Sequence, residues 1–285
     1  MKPRDRYLSG VPCWVDTTQP DPHSAAKFYC ALFGWELEDV MPADAPGRYY
    51  VASLDGLDVA GIGSQPDDAP TVPVWTTYIA VDDADAAATA VGDASGRVLT
   101  GPIDVSDAGR MAVVTDPAGA DFCLWQAGRR IGAQLVNVPG SVNFNDLSTP
   151  DVDGARAFYG AVFGWDVLTI PMGDDPGMMW TLPGYGADLD RLEPGTLDSQ
   201  AEMGAPAGFE NVVASLSPIE ATDGSPARWD VTFAVDDCDA VAARAAQLGG
   251  DVLVEPFDAG PVRTARIADP AGAALTISRF YPERL

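Results

Sequence analysis

The sequence predicts an α+β fold that occurs twice in tandem, and three observations predict it. The chain of 285 residues is long enough for two domains of ordinary size. Strand-like and helix-like periods alternate along it, with about one helix for every four strands. A set of short motifs from the first half then returns in the same order in the second half. Repetition in a fixed order indicates duplication, so we expect two homologous halves.

Four pairs of motifs define the duplication, and the distance between the partners changes along the chain. The early pairs are 130 residues apart and the late pairs 153 or 154, which locates an insertion of 24 residues at about 186–211. We therefore expect a first domain at 9–127, a linker at 128–140 and a second domain at 141–281. The pairs are Trp14-Val-Asp16 with Phe144-Asn-Asp146, Phe28-Tyr-Cys-Ala-Leu-Phe-Gly-Trp35 with Phe158-Tyr-Gly-Ala-Val-Phe-Gly-Trp165, Val81-Asp-Asp83 with Val235-Asp-Asp237, and Asp116-Pro-Ala-Gly119 with Asp269-Pro-Ala-Gly272.

Each element of the first half follows from local chemistry. Residues 13–18 are predicted to form a strand, after which Asp21 and Pro22 provide a helix N-cap and a proline at the first helical position. The helix Ser24–Phe33 ends at Gly34, and strands follow at 35–40, 49–54 and 57–63. A second unit has a strand at 75–81, an alanine-rich helix at 83–93, and strands at 98–102, 110–115 and 122–126. The β-α-β-β-β order therefore occurs four times in the chain.

Composition excludes several classes of function. The net charge of −25, from 42 acidic and 17 basic residues, repels nucleic acids and anionic membranes. The apolar runs are too short to span a bilayer, and no secretion signal is recognisable at the N-terminus, so we expect a cytoplasmic protein. The four cysteines have no metal-binding spacing, and a single histidine excludes a site built on a histidine pair. We expect a small-molecule partner and a monomer or homodimer.

The ordered motifs resemble the vicinal-oxygen-chelate family of glyoxalases, bleomycin resistance proteins and dioxygenases. The resemblance rests on the aspartate-capped helix that ends in Phe-Tyr-x-x-x-Phe-Gly-Trp and on the Asp-Pro-x-Gly turn before a final strand, and it extends from about Val11 to Phe280. The opening Pro12-Cys-Trp-Val-Asp16 is similar to that of two-domain actinobacterial members described as antigen or hydroxylase-like proteins. The resemblance implies a tandem pair of glyoxalase-like domains whose mostly antiparallel, curved sheets enclose cavities.

The resemblance also implies the positions of metal ligands, and this sequence departs from them. Metal-dependent members place His, Gln or Glu on the first, fourth, fifth and eighth strands of each domain. The windows for the fourth strand, 59–64 and 212–217, contain no Glu or His. The other positions hold Trp14 and Phe144, Thr76 and Asp230, and Cys123 and Thr276. Since Trp and Phe donate nothing to a metal, we expect neither a metal nor another cofactor.

Candidate site residues lie on the strand faces where the family's cavities open. Trp14 and Phe144 could stack on a planar ligand, and Asp16 and Asp146, two residues further along, could bind one of its hydrogen-bond donors. The alternative is that the aromatics fill the cavity and the aspartates bind the neighbouring backbone. A buried Asp230 could act as a general acid or base, although an ion pair with Arg228 or Arg263 would account for it equally. The catalytic candidates are Asp230, Asp146 and Asp16. The ligand-binding candidates are Trp14, Thr76, Tyr78, Tyr50, Cys123, Phe144, Trp180, Thr232 and Thr276, with core packing as the alternative for the strand aromatics and for Cys123.

The function hypothesis that follows is metal-independent binding of a small aromatic or polyketide-like metabolite. The protein would sequester this compound, as resistance proteins of the fold do, or convert it by acid–base chemistry as an enzyme of secondary metabolism. Two alternatives remain open, namely a metal-dependent lyase or oxygenase with Asp146 and Asp230 as unorthodox ligands, and a non-catalytic duplicate with filled cavities. We expect the second half to hold the working site and the insertion to form either a lid or a mobile loop.

Overall fold

The computed structural model describes residues 2–66, 72–172, 175–220 and 226–282. Each half contributes eight strands and two principal helices, and the second half adds three short helical segments. The first half contains β1 (Pro12–Gln19), α1 (Pro22–Phe33), β2 (Glu36–Asp39), β3 (Tyr49–Leu54), β4 (Leu57–Ser64), β5 (Trp75–Ala80), α2 (Ala84–Asp93), β6 (Arg97–Val105), β7 (Gly109–Thr115) and β8 (Asp121–Ala127). The second contains β9 (Val142–Thr149), α3 (Val152–Phe163), β10 (Asp166–Met172), β11 (Asp175–Thr181), α4 (Tyr185–Leu192), α5 (Thr196–Glu202), a 3₁₀ turn (Phe209–Asn211), β12 (Val212–Pro218), β13 (Arg228–Ala234), α6 (Cys238–Gln247), β14 (Asp251–Ala259), β15 (Val262–Ala268) and β16 (Ala274–Phe280).

The strands form two eight-stranded sheets with the same topology. Their orders are β2-β3-β4-β1-β5-β8-β7-β6 and β10-β11-β12-β9-β13-β16-β15-β14. Within the first sheet β1 pairs in parallel with β4 and β5 with β8, whereas β2, β3 and β4, like β6, β7 and β8, are antiparallel neighbours. Both sheets curl without closing into a barrel. The α+β class with two sheet-dominated, glyoxalase-like domains, predicted from the motif order, is confirmed.

The helices begin and end where the sequence predicts a cap. Asp21 accepts backbone hydrogen bonds from His23 and Ser24, and Asp151 at the repeat position accepts one from Gly154. Helix α1 begins at Pro22 rather than at Ser24, because the proline ring already has helical φ. It ends at Gly34, which has a left-handed φ of 76° that disfavours other residues.

The described chain divides into two compact units, and each unit combines segments from both sequence halves. The first consists of Met1–Cys13, Thr77–Gly132 and Phe144–Asp230, and the second of Trp14–Thr76, Ala133–Asn143 and Val231–Leu285. Each unit has its own apolar core. In the first unit Phe122 packs edge-on against Phe158, and in the second Phe33 stacks on Phe233. The predicted domain boundaries at 9–127 and 141–281 enclose the strands of one sheet each.

The repeated motifs meet inside these cores. In the second unit the hydroxyl of Tyr29 donates a hydrogen bond of 2.9 Å to Asp269, and the indole N–H of Trp75 donates to the Tyr29 oxygen. Tyr159, Asp116 and Trp229 form the same arrangement in the first unit. The Phe-Tyr motif of one half therefore binds the Asp-Pro-Ala-Gly motif of the other half, which gives both motifs a structural role.

The insertion is largely helical, and its predicted role as a lid stays a prediction. Its helix α4 forms polar contacts with the segment before β1. Asp188, almost fully buried, accepts a hydrogen bond of 2.6 Å from Arg6, and Arg191 contacts both Asp188 and Asp5. Tyr185 accepts a hydrogen bond from Arg4 and packs against the core of the first unit.

No helix in the described residues is long and apolar enough to cross a membrane.

Candidate functional site

A cluster of aspartate and serine side chains lies on strands β9 and β12 of the second half. Asp146 on β9 stands opposite Ser215 on β12 in the parallel register. The Ser215 hydroxyl donates to Asp146 Oδ2 over 2.6 Å, and the Ser217 hydroxyl donates to the same oxygen over 2.9 Å. Successive strand residues point to opposite faces, so the spacing of two between the serines brings both hydroxyls to one carboxylate. Asp146 itself is half-buried.

Asp230 at the start of β13 joins this group through Ser148. The Ser148 hydroxyl lies 3.4 Å from Asp146 Oδ1 and 3.3 Å from Asp230 Oδ2. The Asp230 side chain is 14% exposed and forms an ion pair with Arg228, whose Nε lies 3.0 Å away. The alternative of an ion pair is thus present for Arg228, whereas Arg263 pairs with Asp239 and Asp258. We call Asp146, Ser148, Ser215, Ser217 and Asp230 the serine–aspartate cluster.

The environment of Asp146 favours its protonated form. Burial raises the pKa of its carboxyl above the ordinary value, since a charged carboxylate loses solvation there. Hydrogen bonds from Ser215 and Ser217 oppose the rise, and the negative charge of Asp230 adds to it. A carboxyl group with a raised pKa and two hydroxyl neighbours holds its proton to higher pH than a solvated aspartate does.

The repeat position in the first half is built from aromatic residues instead. Asp16 is buried and accepts a hydrogen bond of 2.9 Å from the Tyr49 hydroxyl. The indole N–H of Trp14 donates to the Tyr49 oxygen over 3.0 Å. Tyr49 passes over Gly61, where any added Cβ would overlap its hydroxyl, and over Gly63. The phenol ring therefore fills the space next to the carboxylate.

The two halves thus hold the same aspartate in different ways. Gly61 and Gly63 leave room for the Tyr49 ring, and they align with Ser215 and Ser217 at the offset of 154. Strand β11 contains no tyrosine, and its Met179 stands opposite Ser215. Serine hydroxyls replace the phenol as donors in the second half.

Several other predicted site residues belong to packed interiors or to other faces. Tyr50 lies on the opposite face of β3 from Tyr49 and packs against the core of the second unit. Trp180 is fully buried, and its ring packs at tilted angles against those of Tyr159 and Trp165. Core packing, the alternative named for the strand aromatics, describes Trp180, whereas Tyr50 is half-buried and also lines a cavity beside helix α1.

The remaining candidates form two in-register pairs and two isolated positions. Tyr78 stands opposite Cys123, both buried, and its ring packs edge-on against Trp125. Thr232 stands opposite Thr276, and both are half-buried. Thr76 and Phe144 are half-buried on β5 and β9. Their predicted part in ligand binding stays a prediction.

Sequence reasoning missed four residues that contact the two first-strand aspartates, namely Tyr49, Ser148, Ser215 and Ser217. The signal was available in part. Ser148 lies two residues after Asp146 and therefore on the same strand face. The exchange of Gly61 and Gly63 for serine was visible in the aligned repeats, but it gained meaning only when the register placed Ser215 beside Asp146.

The donor set does not fit the metal that the fold implies. In the ranges that the structure describes, no three His, Cys, Asp or Glu side chains come together. Asp146 and Asp230 are the two carboxylates of the cluster, and Arg228 brings a positive charge to Asp230. A guanidinium beside a would-be ligand repels a cation, and two carboxylates with serines make a weak site. Cavities of about 200 and 560 Å³ lie elsewhere, lined by other residues.

Comparison with known proteins bears on both halves. Residues 14–124 match the model of the glyoxalase/bleomycin resistance protein/dioxygenase superfamily, and residues 142–278 match that of a glyoxalase-like domain. The chain is 39% identical over 287 residues to CFP32 of Mycobacterium tuberculosis, which is named as a glyoxylase, with both chains fully covered. It is 35% identical over 285 residues to the anthracycline biosynthesis protein DnrV of Streptomyces peucetius, covering 95% of this chain and 94% of the relative.

Solved structures share the fold at low sequence identity. A Mn(II)-bound glyoxalase from Novosphingobium aromaticivorans superposes with a TM-score of 0.59 at 17% identity, covering 95% of this chain and 83% of that one. The 2,3-dioxygenase LapB from Pseudomonas sp. KL28 gives 0.58 at 12% identity, covering 96% and 94%. Identities this low establish the architecture and carry no information about substrate.

Proposed function

The chain belongs to the glyoxalase/bleomycin resistance/dioxygenase superfamily, and we propose that its second half binds a small aromatic or polyketide-like metabolite without a metal. The observation that carries this proposal is the serine–aspartate cluster. Asp146 occupies the strand that bears a metal ligand in related enzymes, yet it is surrounded by hydroxyl donors and a second carboxylate. Such a group recognises hydrogen-bond donors on a ligand.

The chemistry available to the cluster is proton transfer. Asp146 would accept a hydrogen bond or a proton from a phenolic or enolic hydroxyl of the ligand. Its raised pKa lies closer to the pKa of such hydroxyls than that of a solvated aspartate does, which favours proton transfer. Ser215 and Ser217 hold the carboxylate in one orientation. Phe144, two residues before Asp146 on the same strand face, would provide an aromatic surface for a planar ring. Binding without turnover would use the same contacts.

A relative supports the class of ligand that we propose. DnrV, which matches nearly the full length of this chain, is named for anthracycline biosynthesis. Anthracyclines are polycyclic aromatic polyketides with phenolic hydroxyls. The proposal that this chain handles a compound of that general chemistry is consistent with the carboxylate and hydroxyl groups of the cluster.

In the first half the space beside the corresponding aspartate is occupied by aromatic side chains. Tyr49 and Trp14 occupy the space beside Asp16 and satisfy it with a phenol hydroxyl. A ligand there would have to displace partly buried hydrogen bonds, at a cost of about 1 kcal/mol each. We therefore assign the working site to the second half.

The test is a calorimetric titration with 1,8-dihydroxyanthraquinone, a planar phenolic probe. We expect Asp146→Asn to weaken binding about tenfold, since a hydrogen bond to a charged group contributes about 1.5–3 kcal/mol. Asp230→Asn should weaken it as well, and Asp16→Asn, the matched control in the first half, should leave it unchanged. If Asp16→Asn abolishes binding while the other two bind normally, the working half is the first. Mass spectrometry of the probe after incubation then separates conversion from sequestration.

Elemental analysis of protein purified without chelator tests the metal-free part of the proposal. We expect no near-stoichiometric zinc, iron, nickel or manganese. A transition metal present at one per chain and lost in Asp146→Asn or Asp230→Asn would instead support the lyase or oxygenase alternative.

A further inference from the structure

One of the two cavities noted above lies beside helix α1, in the compact unit that does not contain the serine–aspartate cluster. Its volume of about 560 Å³ falls within the range of small-molecule sites. Its walls combine side chains of one helix with those of strands β2 and β3, and most of them are apolar. The lining residues are His23, Ala26, Lys27, Cys30, Ala31, Leu37 and Tyr50.

The helix presents one continuous face to this cavity. His23, Lys27 and Cys30 follow one another at spacings of four and three residues, which places them along one side of the helix. Leu37 and Tyr50, from the strands, provide apolar surface that is partly buried against the core of the unit. The cavity therefore has an apolar floor with a cationic side chain at its rim, the arrangement that suits an amphipathic ligand.

The charge at this rim is unusual for the chain. The protein has a net charge of −25, only two lysines and one histidine, yet Lys27 and His23 both line this cavity. Of the carboxylates near in sequence, Glu36 and Glu38 alternate with Leu37 and therefore lie on the other face of β2, whereas Asp39 stands opposite Tyr50. Asp21 accepts the backbone N–H groups at the start of α1, and Asp39 pairs with Arg48. Burial raises the pKa of the Cys30 thiol, which keeps it uncharged at neutral pH.

The duplication provides an internal comparison. At the offset of 130, His23 corresponds to Asp153 and Lys27 to Ala157 on helix α3. The second half has therefore no cation at either position and carries a carboxylate at one of them. The cation of α3, Arg156, aligns with Ala26 and is paired with Asp166, so the arrangement of His23 and Lys27 is not repeated in the second half.

We propose that this cavity binds a small monoanion with an apolar body, such as an aryl or alkyl carboxylate or sulfonate. The apolar part would lie against Leu37 and Tyr50, and the anionic group would pair with the Lys27 ammonium, with His23 as a further hydrogen-bond donor. This site is independent of the function proposed for the second half.

The probe for this site is 8-anilinonaphthalene-1-sulfonate, whose fluorescence increases in apolar surroundings. We expect saturable binding that Lys27→Glu weakens about tenfold. Lys2→Glu, the same substitution at the chain's other lysine, should change affinity less than about twofold, because Lys2 is exposed to screening by solvent and does not line the cavity. N-phenyl-1-naphthylamine, which lacks the sulfonate, should bind with an affinity that Lys27→Glu does not change.

Two further measurements tie the probe to this cavity. Ala31→Trp, at an exposed helix position on the cavity wall, should block binding without disturbing the core. Cys30 is half-buried while the other three cysteines are buried, so monobromobimane should label Cys30 first, and the sulfonate should slow that labelling. Normal binding by both Lys27→Glu and Ala31→Trp, or labelling of Cys30 that the sulfonate does not slow, would overturn the proposal.

Discussion

At the scale of single residues, Asp146 links stability to pH. Burial raises the pKa of its carboxyl in the folded protein, so the folded state binds this proton more tightly than the unfolded chain. The free energy by which the bound proton stabilises the folded state is fully present below the pKa of Asp146 in the unfolded chain. It is lost as pH rises through the pKa of Asp146 in the folded protein. Wild type should therefore lose free energy of unfolding relative to Asp146→Asn as pH increases.

Urea unfolding at intervals from about pH 4, close to the ordinary pKa of the carboxyl, up to about pH 8 measures this difference. Asp188→Asn is the control, because the pKa of Asp188 lies below its ordinary value: burial opposes this shift, but hydrogen bonds from Arg6 and Arg191 outweigh it. The stabilisation that the Asp188 carboxylate contributes is lost only as pH falls below the ordinary pKa range of aspartate. The difference in free energy of unfolding between wild type and Asp188→Asn should therefore stay nearly constant at higher pH. A flat Asp146→Asn difference would show that the carboxyl is not perturbed.

The pair Tyr49 and Gly61 gives a second residue-scale prediction. A methyl group at position 61 would overlap the Tyr49 hydroxyl, so Gly61→Ala should lower the free energy of unfolding by about 1–3 kcal/mol. Tyr49→Ala alone removes the donor to Asp16. The double variant Gly61→Ser with Tyr49→Ala should recover part of the loss, since a serine at 61 can reach Asp16 as Ser215 reaches Asp146.

A double-mutant cycle by chemical denaturation measures this coupling. Ser215→Gly, the reverse change in the second half, is the matched comparison and should lower the free energy of unfolding, because Asp146 loses a hydroxyl donor that no phenol from β11 replaces. Additive effects of Gly61→Ser and Tyr49→Ala would contradict the proposed exchange of donors.

At the scale of elements, the contact between Tyr29 and Asp269 joins helix α1 to the turn before β16. Tyr29→Phe removes the donor to a buried carboxylate and leaves the Trp75 N–H without its acceptor. Leaving such groups unpaired costs about 1–3 kcal/mol, so we expect that loss in the free energy of unfolding, and the same for Tyr159→Phe. Tyr50→Phe, at a half-buried tyrosine, should change stability by less than about 0.5 kcal/mol in the same thermal or urea assay. Equal stabilities for all three variants would exclude a structural role of the duplicated motifs.

The elements also show what a repeat can predict and where it fails. Caps such as Asp21 and Gly34 act locally, so the sequence predicts helix ends within two residues. Strand register depends on partners far along the chain. The offset of 130 pairs Tyr50 with Trp180, yet Tyr50 stands opposite Ile62 whereas Trp180 stands opposite Ala214, which corresponds to a shift of two residues. A shift of two residues leaves each side chain on the same face of the sheet but changes the residue that stands opposite it on the next strand. The alternation of apolar and polar residues is unchanged by such a shift, so the sequence pattern cannot detect it.

For the whole molecule, motif order predicts the fold because duplication preserves order even where residues differ. Site prediction was less complete. Ser148 lies between Asp146 and Asp230, and this link, like that to the serines on β12, depends on strand register. The sequence also gives no sign of which sheet face an aromatic strand residue such as Trp180 occupies. The sequence therefore predicts which residue types are available better than which of them meet.

The composition of the compact units leads to the last prediction. The core of the first unit joins Phe122 to Phe158 and Tyr159, and that of the second joins Phe33 to Phe233, so each core needs both sequence halves. Separate fragments 1–132 and 133–285 would each expose half of two cores, at about 25 cal/mol for every Å² of apolar surface left in water.

We therefore expect neither fragment to be a folded monomer and the two to form a 1:1 complex when they are expressed together. Size-exclusion chromatography with light scattering gives the stoichiometry, and near-ultraviolet circular dichroism reports the packing of the tryptophans. The intact chain provides the reference spectrum. A fragment that unfolds cooperatively as a monomer, with a native-like aromatic spectrum, would show that the boundaries at 9–127 and 141–281 enclose independently folding domains after all.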